Sequence, residues 1–329
     1  MLDVVCIGNA LIDSFLVIHE ANSFCRVDSK TGEFCIKAGQ KIPLENVQFV
    51  LGGNACNVSV GLKRLGLKAS LVVEFGNDAF AHKIKNELEE EGVDISHSVN
   101  SQSMTSFGVG INFKNERSLF VWHAIRKHEF NLHSIKAKWI YLSSIGESWR
   151  HVYRSIPSFI KSTGSKLAFN PGTRQIAAGK EALLPILAIT DILFVNKEEG
   201  IRILYGKDRI ITGNNKEQIK HIAYKLQAIG PKMIVITDGE RGSNAIGYDN
   251  EFYHEGVIDV PVIEKTGAGD SFSTAFLSAI IKGHEISDAL RWGTLNSASV
   301  IGKVGAHAGL LTEDQIKRKA SVQDGSASG

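Results

Sequence analysis

Short apolar runs alternate with longer stretches of helical periodicity along most of this 329-residue chain. This alternation is typical of parallel βα units. Runs as continuously apolar as "DILFVN" and "KMIVITD" predict strands that helices bury on both faces. The candidate strands occupy residues 4–8, 70–76, 138–144, 166–170, 191–196 and 232–238. The sequence therefore predicts an α/β fold with a mostly parallel central sheet flanked by helices.

Two stretches interrupt this rhythm with the alternating pattern of antiparallel strands. Residues 14–50 contain "FLVIHEANSF", "EFCIKAGQKIPL" and "VQFVL", and residues 105–123 form two further runs around the turn "KNER". These separated stretches can meet in space as a small sheet at the carboxyl edge of the central strands. We expect that sheet to form a lid over a crevice, within one domain spanning residues 1–320. The tail, residues 321–329, is small and polar, and we expect it to be disordered.

The bulk composition is that of an ordinary globular protein and excludes several classes. With 37 basic and 35 acidic residues, the net charge of +2 gives no electrostatic footprint for nucleic acid. No segment reaches the roughly 20 apolar residues that cross a bilayer, and the apolar start lacks the basic region of a signal peptide. The four cysteines show neither C-x-x-C nor zinc spacing. We therefore expect a cytoplasmic protein with reduced thiols that binds neither nucleic acid nor membrane.

The stretch "EKTGAGDSF" places three small residues and an aspartate where a long apolar helical pattern begins. Gly267, Ala268 and Gly269 let a ligand approach the backbone, where the first N–H groups of a helix lack intrahelical partners. The helix dipole adds partial positive charge, so this end suits an anion such as phosphate. Asp270 either stabilises the helix end electrostatically or acts as a general base toward an attacking hydroxyl. The residues alone leave both roles open.

Polar residues mark the ends of other elements. "LGGNACNVSVGLKRLG" opens a helix at Gly53 with Asn54 and Asn57 one turn apart, and amides suit polyol hydroxyls because they both donate and accept. Asp13, after the first strand, is either a turn residue or a contact to substrate hydroxyls. Ligands of open α/β sheets bind beyond the carboxyl ends of the strands. We therefore expect these residues to lie near Asp270.

Asn196 and Glu199 in "NKEEG" allow two interpretations. An Asn followed three residues later by Glu is close to a capping box that closes a helix end. The same pair could hold water around a Mg²⁺ that arrives with nucleotide phosphates, because that ion keeps much of its hydration shell. The sequence does not choose between them. It does lack a P-loop and a G-x-G-x-x-G fingerprint, which excludes the common nucleotide motifs.

The motifs "GGNACNVSVGLKRLG" and "KTGAGDSFSTAF" together resemble the two signatures of the ribokinase-like family of carbohydrate and nucleoside kinases, also called the phosphofructokinase B type. The resemblance covers residues from about 3 to 318. It implies a ribokinase-like fold and transfer of a phosphoryl group from ATP, with Mg²⁺, to a hydroxymethyl group of a sugar or sugar-like substrate. A nucleoside kinase and a catalytically silent nucleotide-binding relative are the alternatives.

The resemblance also implies roles for matching residues. It makes Asp270 the catalytic base and Gly267, Ala268 and Gly269 the anion hole. The positions that match substrate contacts are Asp13, Gly53, Asn54 and Asn57. Those that match nucleotide contacts are Asn196, Thr237, Gly239, Gly242, Asn296 and Gly305. Glu199 matches the metal contact and would hold Mg²⁺ through water.

Several departures and side chains bear on the details. Glu264 and Lys265 replace the Asp-Thr pair common in the family, which argues against a monovalent-cation (K⁺) site. An apolar or aromatic slot for a base would indicate a nucleoside acceptor, and the lid offers Phe15, Phe107, Phe113, Phe120 and Trp122 for it. A phosphosugar acceptor stays open because of Arg117, Arg126 and Lys127. Lid edges could also pair across a homodimer.

Overall fold

The structure, a computed structural model, describes residues 1–114, 116–207 and 211–326. Its strands are, in chain order, β1 (Leu2–Ile7), β2 (Leu11–Ile18), β3 (Cys25–Val27), β4 (Phe34–Ile36), β5 (Leu44–Gly52), β6 (Ala69–Val72), β7 (Glu74–Phe75), β8 (Val99–Asn100), β9 (Phe107–Phe113), β10 (Glu116–Trp122), β11 (Ala137–Leu142), β12 (Lys166–Phe169), β13 (Ile192–Asn196), β14 (Met233–Thr237), β15 (Ser243–Ile246) and β16 (Phe252–Glu255). Its helices are α1 (Asn54–Arg64), α2 (Ala79–Glu90), α3 (Trp149–Thr163), α4 (Thr173–Ala177), α5 (Lys180–Leu187), α6 (Lys197–Tyr205), α7 (Asn215–Gln227), α8 (Ala268–Ile281), α9 (Ile286–Ile301) and α10 (Glu313–Ser326). Across the described ranges, none of these helices combines the length and apolar character that crossing a membrane requires.

The central sheet contains eight strands in the order β16-β15-β14-β13-β12-β11-β1-β6. The six strands from β14 to β6 pair in parallel, and they correspond to the six runs predicted from the sequence. Side chains alternate along each strand, so Val4 and Cys6 enter one apolar core while Val5 and Ile7 enter the core on the opposite face. Burial on both faces explains why these strands read as continuous apolar runs. Two antiparallel strands, β15 and β16, complete one edge.

A separate four-stranded sheet has the order β10-β9-β2-β5. It confirms that the two interrupting stretches meet in space, although the sheet begins at Leu11 and ends its first segment at Gly52. The contact between the two segments, β2 with β9, is parallel, whereas the other pairings are antiparallel. The predicted "KNER" turn includes residue 115, which lies outside the described residues. We call this four-stranded sheet the lid.

The chain end differs from its predicted disorder. Helix α10 continues through Ser326, so residues 321–326 are helical, while residues 327–329 lie outside the described part of the chain. Two acidic residues, Glu313 and Asp314, occupy its first turn and complement the helix dipole. An ion pair between Lys317 and Glu313, one turn apart, adds local support. The small, polar composition of residues 321–329 gives no sign of these helix-stabilising charges, which lie earlier in the chain.

Candidate active site

Helix α8 begins at a glycine that no other residue could replace without strain. Gly267 is the N-cap, with φ of 78° in the left-handed region. A Cβ at this position would lie 2.5 Å from the Cβ of Ala306. Among the described residues, no side chain caps this helix, and a Cβ at Gly269 would meet no atom within 4 Å. The first turn of α8 is therefore open toward a ligand, as "TGAGD" predicts.

Asp270 lies in this open turn and is held by two amides from α1. Nδ2 of Asn54 donates to Oδ1 of Asp270 at 2.9 Å, and Nδ2 of Asn57 donates to Oδ2 at 2.7 Å. The residue is only 7% exposed. Burial raises the pKa of the Asp270 carboxyl, and the hydrogen bonds from Asn57 and Asn54 oppose that rise because they stabilise the anion. The side chain is thus fixed in orientation at the wall of a crevice.

The crevice runs past this carboxylate in three connected parts. The acceptor part, about 710 Å³, contains Asp13, Gly53, Asn54, Asn57 and Asp270 in its wall. The phosphate part, about 200 Å³, is lined by Asn196, Glu199, Thr237 and the turn from Gly267 to Asp270. The outer part, about 180 Å³, includes Thr237, Gly239, Gly242, Thr294, Ser297 and Ala298. Most of the predicted site residues are therefore brought together on one edge of the central sheet.

Asp13 lies on β2 of the lid, and glycines make room for its carboxylate. A Cβ at either Gly52 or Gly108 would collide with it. Burial raises the pKa of Asp13 to about 6; Arg117 opposes the rise and Glu264 adds to it. Asp13 therefore faces the acceptor part as a carboxylate at neutral pH, able to accept hydrogen bonds from hydroxyl groups.

Asn196 and Glu199 form a complete capping box at the start of α6. Oδ1 of Asn196 accepts from the N–H of Glu199 at 2.8 Å, and Oε2 of Glu199 accepts from the N–H of Asn196 at 2.8 Å. The capping interpretation is therefore confirmed. Both residues also line the phosphate part, and burial raises the pKa of the Glu199 carboxyl. Capping and a role toward the phosphates are compatible in this geometry.

The turn after β14 has the glycines that its backbone requires. Gly239 and Gly242 have φ of 55° and 84°, and a Cβ at Gly242 would collide with the carbonyl oxygen of Glu255. The carboxylate of Asp238 pairs with Arg241, with Nε to Oδ2 at 2.7 Å. This ion pair explains how the turn accommodates the carboxylate of Asp238, although the adjacent residues Thr237 and Gly239 line the crevice.

Two residues that were predicted to contact the nucleotide, Asn296 and Gly305, are not among those that line the three parts of the crevice. Asn296 is fully buried in α9, and its amide donates to the carbonyl of Ser271 at 2.7 Å and accepts from the N–H of Leu311 at 2.9 Å. Both ends of its amide are therefore satisfied inside the protein. The helix face that lines the crevice carries Thr294, Ser297 and Ala298. Gly305 donates its N–H to Oε2 of Glu264 at 2.9 Å, so it fixes a buried carboxylate.

An arginine from the lid reaches the segment that leads into α8. Arg117 on β10 pairs with the buried Glu264 and also donates to the hydroxyl of Thr266. Its guanidinium carbon lies 4.3 Å from the ring centre of Phe15. The sequence marked Glu264 as a departure but gave no sign that its partner lies 147 residues away.

A second missed residue is His307, in the loop after α9. Its Nε2 lies 2.8 Å from Oδ1 of Asn57. Two other histidines lie near the lid: His123 lines the acceptor part, and His128 is buried against Glu74. No local motif marks His307, because its partner lies 250 residues earlier in the chain.

The described residues contain no cluster of three or more His, Cys, Asp or Glu side chains arranged to hold a metal ion. A hydrated ion that arrives with phosphates needs only one or two protein carboxylates. Glu199, whose carboxylate faces the phosphate part, is compatible with that mode of binding. The residues present therefore fit a Mg²⁺ carried by the nucleotide better than an ion held by the protein alone.

The sequence of this chain matches the family model described as pfkB family carbohydrate kinase over residues 1–313. It is 26% identical over 281 residues to the nucleoside kinase of Methanothermobacter thermautotrophicus, covering 83% of this chain and 85% of that one. It is 25% identical over 338 residues to the 5-dehydro-2-deoxygluconokinase of Shouchella clausii, covering 98% and 96%. The ribokinase of Arabidopsis thaliana, solved with ribose and ATP, shares the fold with a TM-score of 0.78 at 20% identity, covering 96% and 98%.

The chain therefore belongs to the pfkB family of carbohydrate kinases. The family and its fold confirm the resemblance carried by the two sequence motifs. The protein is a phosphotransferase of the sugar or nucleoside kinase class, acting on an alcohol group.

Proposed function

We propose that this protein transfers the γ-phosphoryl group of ATP to a hydroxymethyl group of a sugar or sugar-like compound. The observation that carries the proposal is the position of Asp270. It lies in the open first turn of α8, between the acceptor and phosphate parts of the crevice, with both carboxylate oxygens held by amides. A base fixed beside an anion site suits the activation of an alcohol for attack on phosphorus.

In the proposed reaction, the Asp270 carboxylate takes the proton of the acceptor hydroxyl. The acceptor oxygen forms a bond to the γ-phosphorus as the bond to the β-γ bridging oxygen breaks, and ADP leaves. The N–H groups at the start of α8 stabilise negative charge on the transferring group, where the helix dipole also acts. Gly267 and Gly269 keep that turn free of side chains. Positioning and charge stabilisation supply most of the catalysis in such a transfer.

Mg²⁺ bound to the nucleotide would screen the negative charge of the phosphates. We propose that Glu199 holds this ion through water, while the capping box fixes the carboxylate with its bond from the backbone of Asn196. Thr237, Gly239 and Gly242, which line the outer and phosphate parts, are proposed to contact the nucleotide.

The lid favours a sugar acceptor over a nucleoside. Its residues that line the acceptor part are Leu11, Asp13, Leu119 and Val121, with His123 directly after β10, and no Phe, Tyr or Trp is among the described residues of that wall to stack on a base. The aromatic lid residues engaged in packing are Phe15, Phe107 and Phe113. Phe120 and Trp122 are 60% and 51% exposed and are not among the side chains that line this part. Asp13 adds to this wall a carboxylate that can accept hydrogen bonds from the hydroxyl groups of an acceptor.

The geometry gives less support to a phosphosugar acceptor and to a catalytically silent protein. Two of the three basic residues considered for a phosphosugar are already engaged. Arg117 pairs with Glu264, and Arg126 is buried with donors directed to the carbonyls of Glu74 and Met104. A catalytically silent relative would have no need for the double amide clamp on Asp270.

We propose that the lid closes over the acceptor to exclude water from the crevice. Its β10 edge exposes Leu119, Phe120, Val121 and Trp122, and this exposed strand edge is proposed to pair with a second copy of the chain. A K⁺ requirement is not proposed, because the guanidinium of Arg117 already neutralises Glu264.

The test is acceptor-dependent release of ADP, measured with ATP and Mg²⁺ over pentoses, hexoses, keto-acid sugars, nucleosides and phosphosugars. We expect the highest kcat/KM with a non-phosphorylated sugar or sugar acid. A nucleoside as the best acceptor would overturn the substrate class, and release with none of them would overturn the catalytic assignment.

A further inference from the structure

His307 lies in the loop between α9 and α10 and reaches back to α1. Its Nε2 lies 2.8 Å from Oδ1 of Asn57, and Nδ2 of Asn57 donates to Oδ2 of Asp270 at 2.7 Å. The three side chains therefore form a chain of hydrogen bonds that ends on the carboxylate. The mechanism proposed above gives His307 no role.

The direction of this chain is fixed at both ends. An ionised carboxylate only accepts hydrogen bonds, so Asn57 turns its NH₂ group to Asp270 and its carbonyl oxygen to His307. That oxygen only accepts, so Nε2 of His307 carries the hydrogen. Burial lowers the pKa of His307 to about 4, with Arg64 adding to the shift and Glu91 opposing it. The ring is therefore neutral at pH 7, with its single N–H on Nε2.

Arg64 anchors the loop that carries His307. Its guanidinium donates to the carbonyl oxygen of His307 at 2.7 Å and to that of Leu310 at 3.3 Å. Glu91 holds the same guanidinium, with Nε to Oε2 at 3.0 Å. Arg64 lies two helical turns after Asn57, so both residues share one face of α1. The loop is thus attached to α1 through its backbone and through the His307 ring.

We propose that His307 is a positioning residue that keeps the NH₂ group of Asn57 directed at Asp270 and so keeps the carboxylate aimed at the acceptor. The inference rests on the proposed kinase function. Without the His307 N–H, the Asn57 amide loses its second anchor and can rotate away from the carboxylate. Loss of that donor raises the pKa of Asp270 and leaves the carboxylate less firmly aimed at the acceptor.

The experiment compares two substitutions that differ in hydrogen-bond donor. His307→Met keeps a similar size without an N–H, and we expect kcat to fall about tenfold, the loss of roughly one hydrogen bond. The KM for ATP should stay within about twofold, because the interaction acts on the base. The acidic limb of the pH–rate profile should move to higher pH. His307→Gln, whose amide N–H can reach the position of Nε2, should restore most of kcat and the parental limb.

The shift of the acidic limb of the pH–rate profile must be assigned to Asp270 rather than to a neighbouring titratable group. Glu199, Cys56 and Tyr141 are the other titratable groups whose charge interacts with it, and Arg64 and Glu91 face His307. A double-mutant cycle makes the assignment. In an Asn57→Ala background, His307→Met should change kcat by less than about twofold, because the intermediary is already absent.

His254→Met is the matched control. Its Nδ1 lies 2.9 Å from Oδ1 of Asn244 in a similar His–Asn pair at the sheet edge, and we expect parental kcat and pH profile. Melting temperatures are measured for every variant. If His307→Met does not fold, His307→Gln carries the test, since it must keep the parental acidic limb, and a displaced limb in that variant would overturn the inference.

Three results would overturn the inference. One is parental kcat and pH profile in His307→Met; another is an equal loss of kcat with and without Asn57. Equal loss in His307→Gln and His307→Met would likewise assign a packing role. Failure of the proposed function is distinguishable, because it shows in the parental protein as ADP release that no acceptor stimulates.

Discussion

Helices α6 and α8 both begin at the crevice, but their N-terminal ends differ. Helix α6 is closed by its own residues, because Asn196 and Glu199 satisfy each other's backbone N–H groups. Helix α8 begins at Gly267, and among the described residues no side chain caps it. Since unpaired N–H groups need a partner, the difference indicates which end receives an external anion. The closed end fixes a carboxylate, and the open end is available to phosphate.

The largest expected effect is at the open end. Asp270→Asn removes the base while keeping size and one of the two accepted hydrogen bonds, so turnover should fall at least about a hundredfold with ATP binding retained. Asp288→Asn is the matched control, because Asp288 also lies in the first turn of a helix, α9, but outside the crevice. Steady-state kinetics and calorimetric ATP titration check both. Near-normal turnover in Asp270→Asn would remove the base assignment and leave only electrostatic stabilisation of the helix end.

The KM for the acceptor should depend on pH through the carboxylate of Asp13 on the lid. The pKa of Asp13 is raised to about 6, so its carboxylate is ionised above that pH and protonated below it. Acceptor KM should be constant above about pH 7 and rise up to about tenfold per unit below the pKa. Asp13→Asn should give a KM that is high and insensitive to pH over this range. A parental KM that stays flat down to pH 5 would contradict the assignment of Asp13 to acceptor binding.

At the closed end, capping and metal binding can be separated. Glu199→Gln keeps a side chain that can accept the backbone bond, so the melting temperature should stay near parental. The Mg²⁺ concentration for half-maximal rate should rise about fivefold, since a carboxylate that faces the hydrated ion is lost. Glu217→Gln is the matched control, because Glu217 holds the same position in the capping box of α7. An unchanged Mg²⁺ dependence would restrict Glu199 to capping.

The smallest expected effect concerns monovalent cations. Arg117 occupies the position beside Glu264, in the segment that leads into the open end of α8. Replacing K⁺ by choline at constant ionic strength leaves the screening of charges unchanged, so turnover should change by less than about twofold. Strong stimulation specific to K⁺ would show that the guanidinium does not replace a bound cation.

The sequence predicted the features that depend on local pattern. The six parallel strands, the lid segments and the open start of α8 follow from apolar periodicity and from small residues at an element boundary. Asn296 was assigned wrongly, because the crevice takes the face of α9 with Thr294 and Ser297. A helical period of 3.6 residues applied to "WGTLNSASV" would place Asn296 on another face.

Other features were out of reach because they depend on long-range contacts. The pairs Arg117–Glu264 and His307–Asn57 join residues 147 and 250 positions apart. Neither arginine nor histidine carries a local signature of its partner, since the lid sheet and the loop before α10 bring them together only in the folded chain. The capping box was predicted as one of two interpretations, and its backbone bonds established it.

A crystal structure with Mg²⁺, a non-hydrolysable ATP analogue and the preferred acceptor tests the central claim most directly. We predict the terminal phosphate at the start of α8, within about 3 Å of its backbone nitrogens, and the acceptor hydroxyl against the carboxylate of Asp270. A terminal phosphate bound away from α8, or an acceptor hydroxyl out of reach of Asp270, would contradict the account.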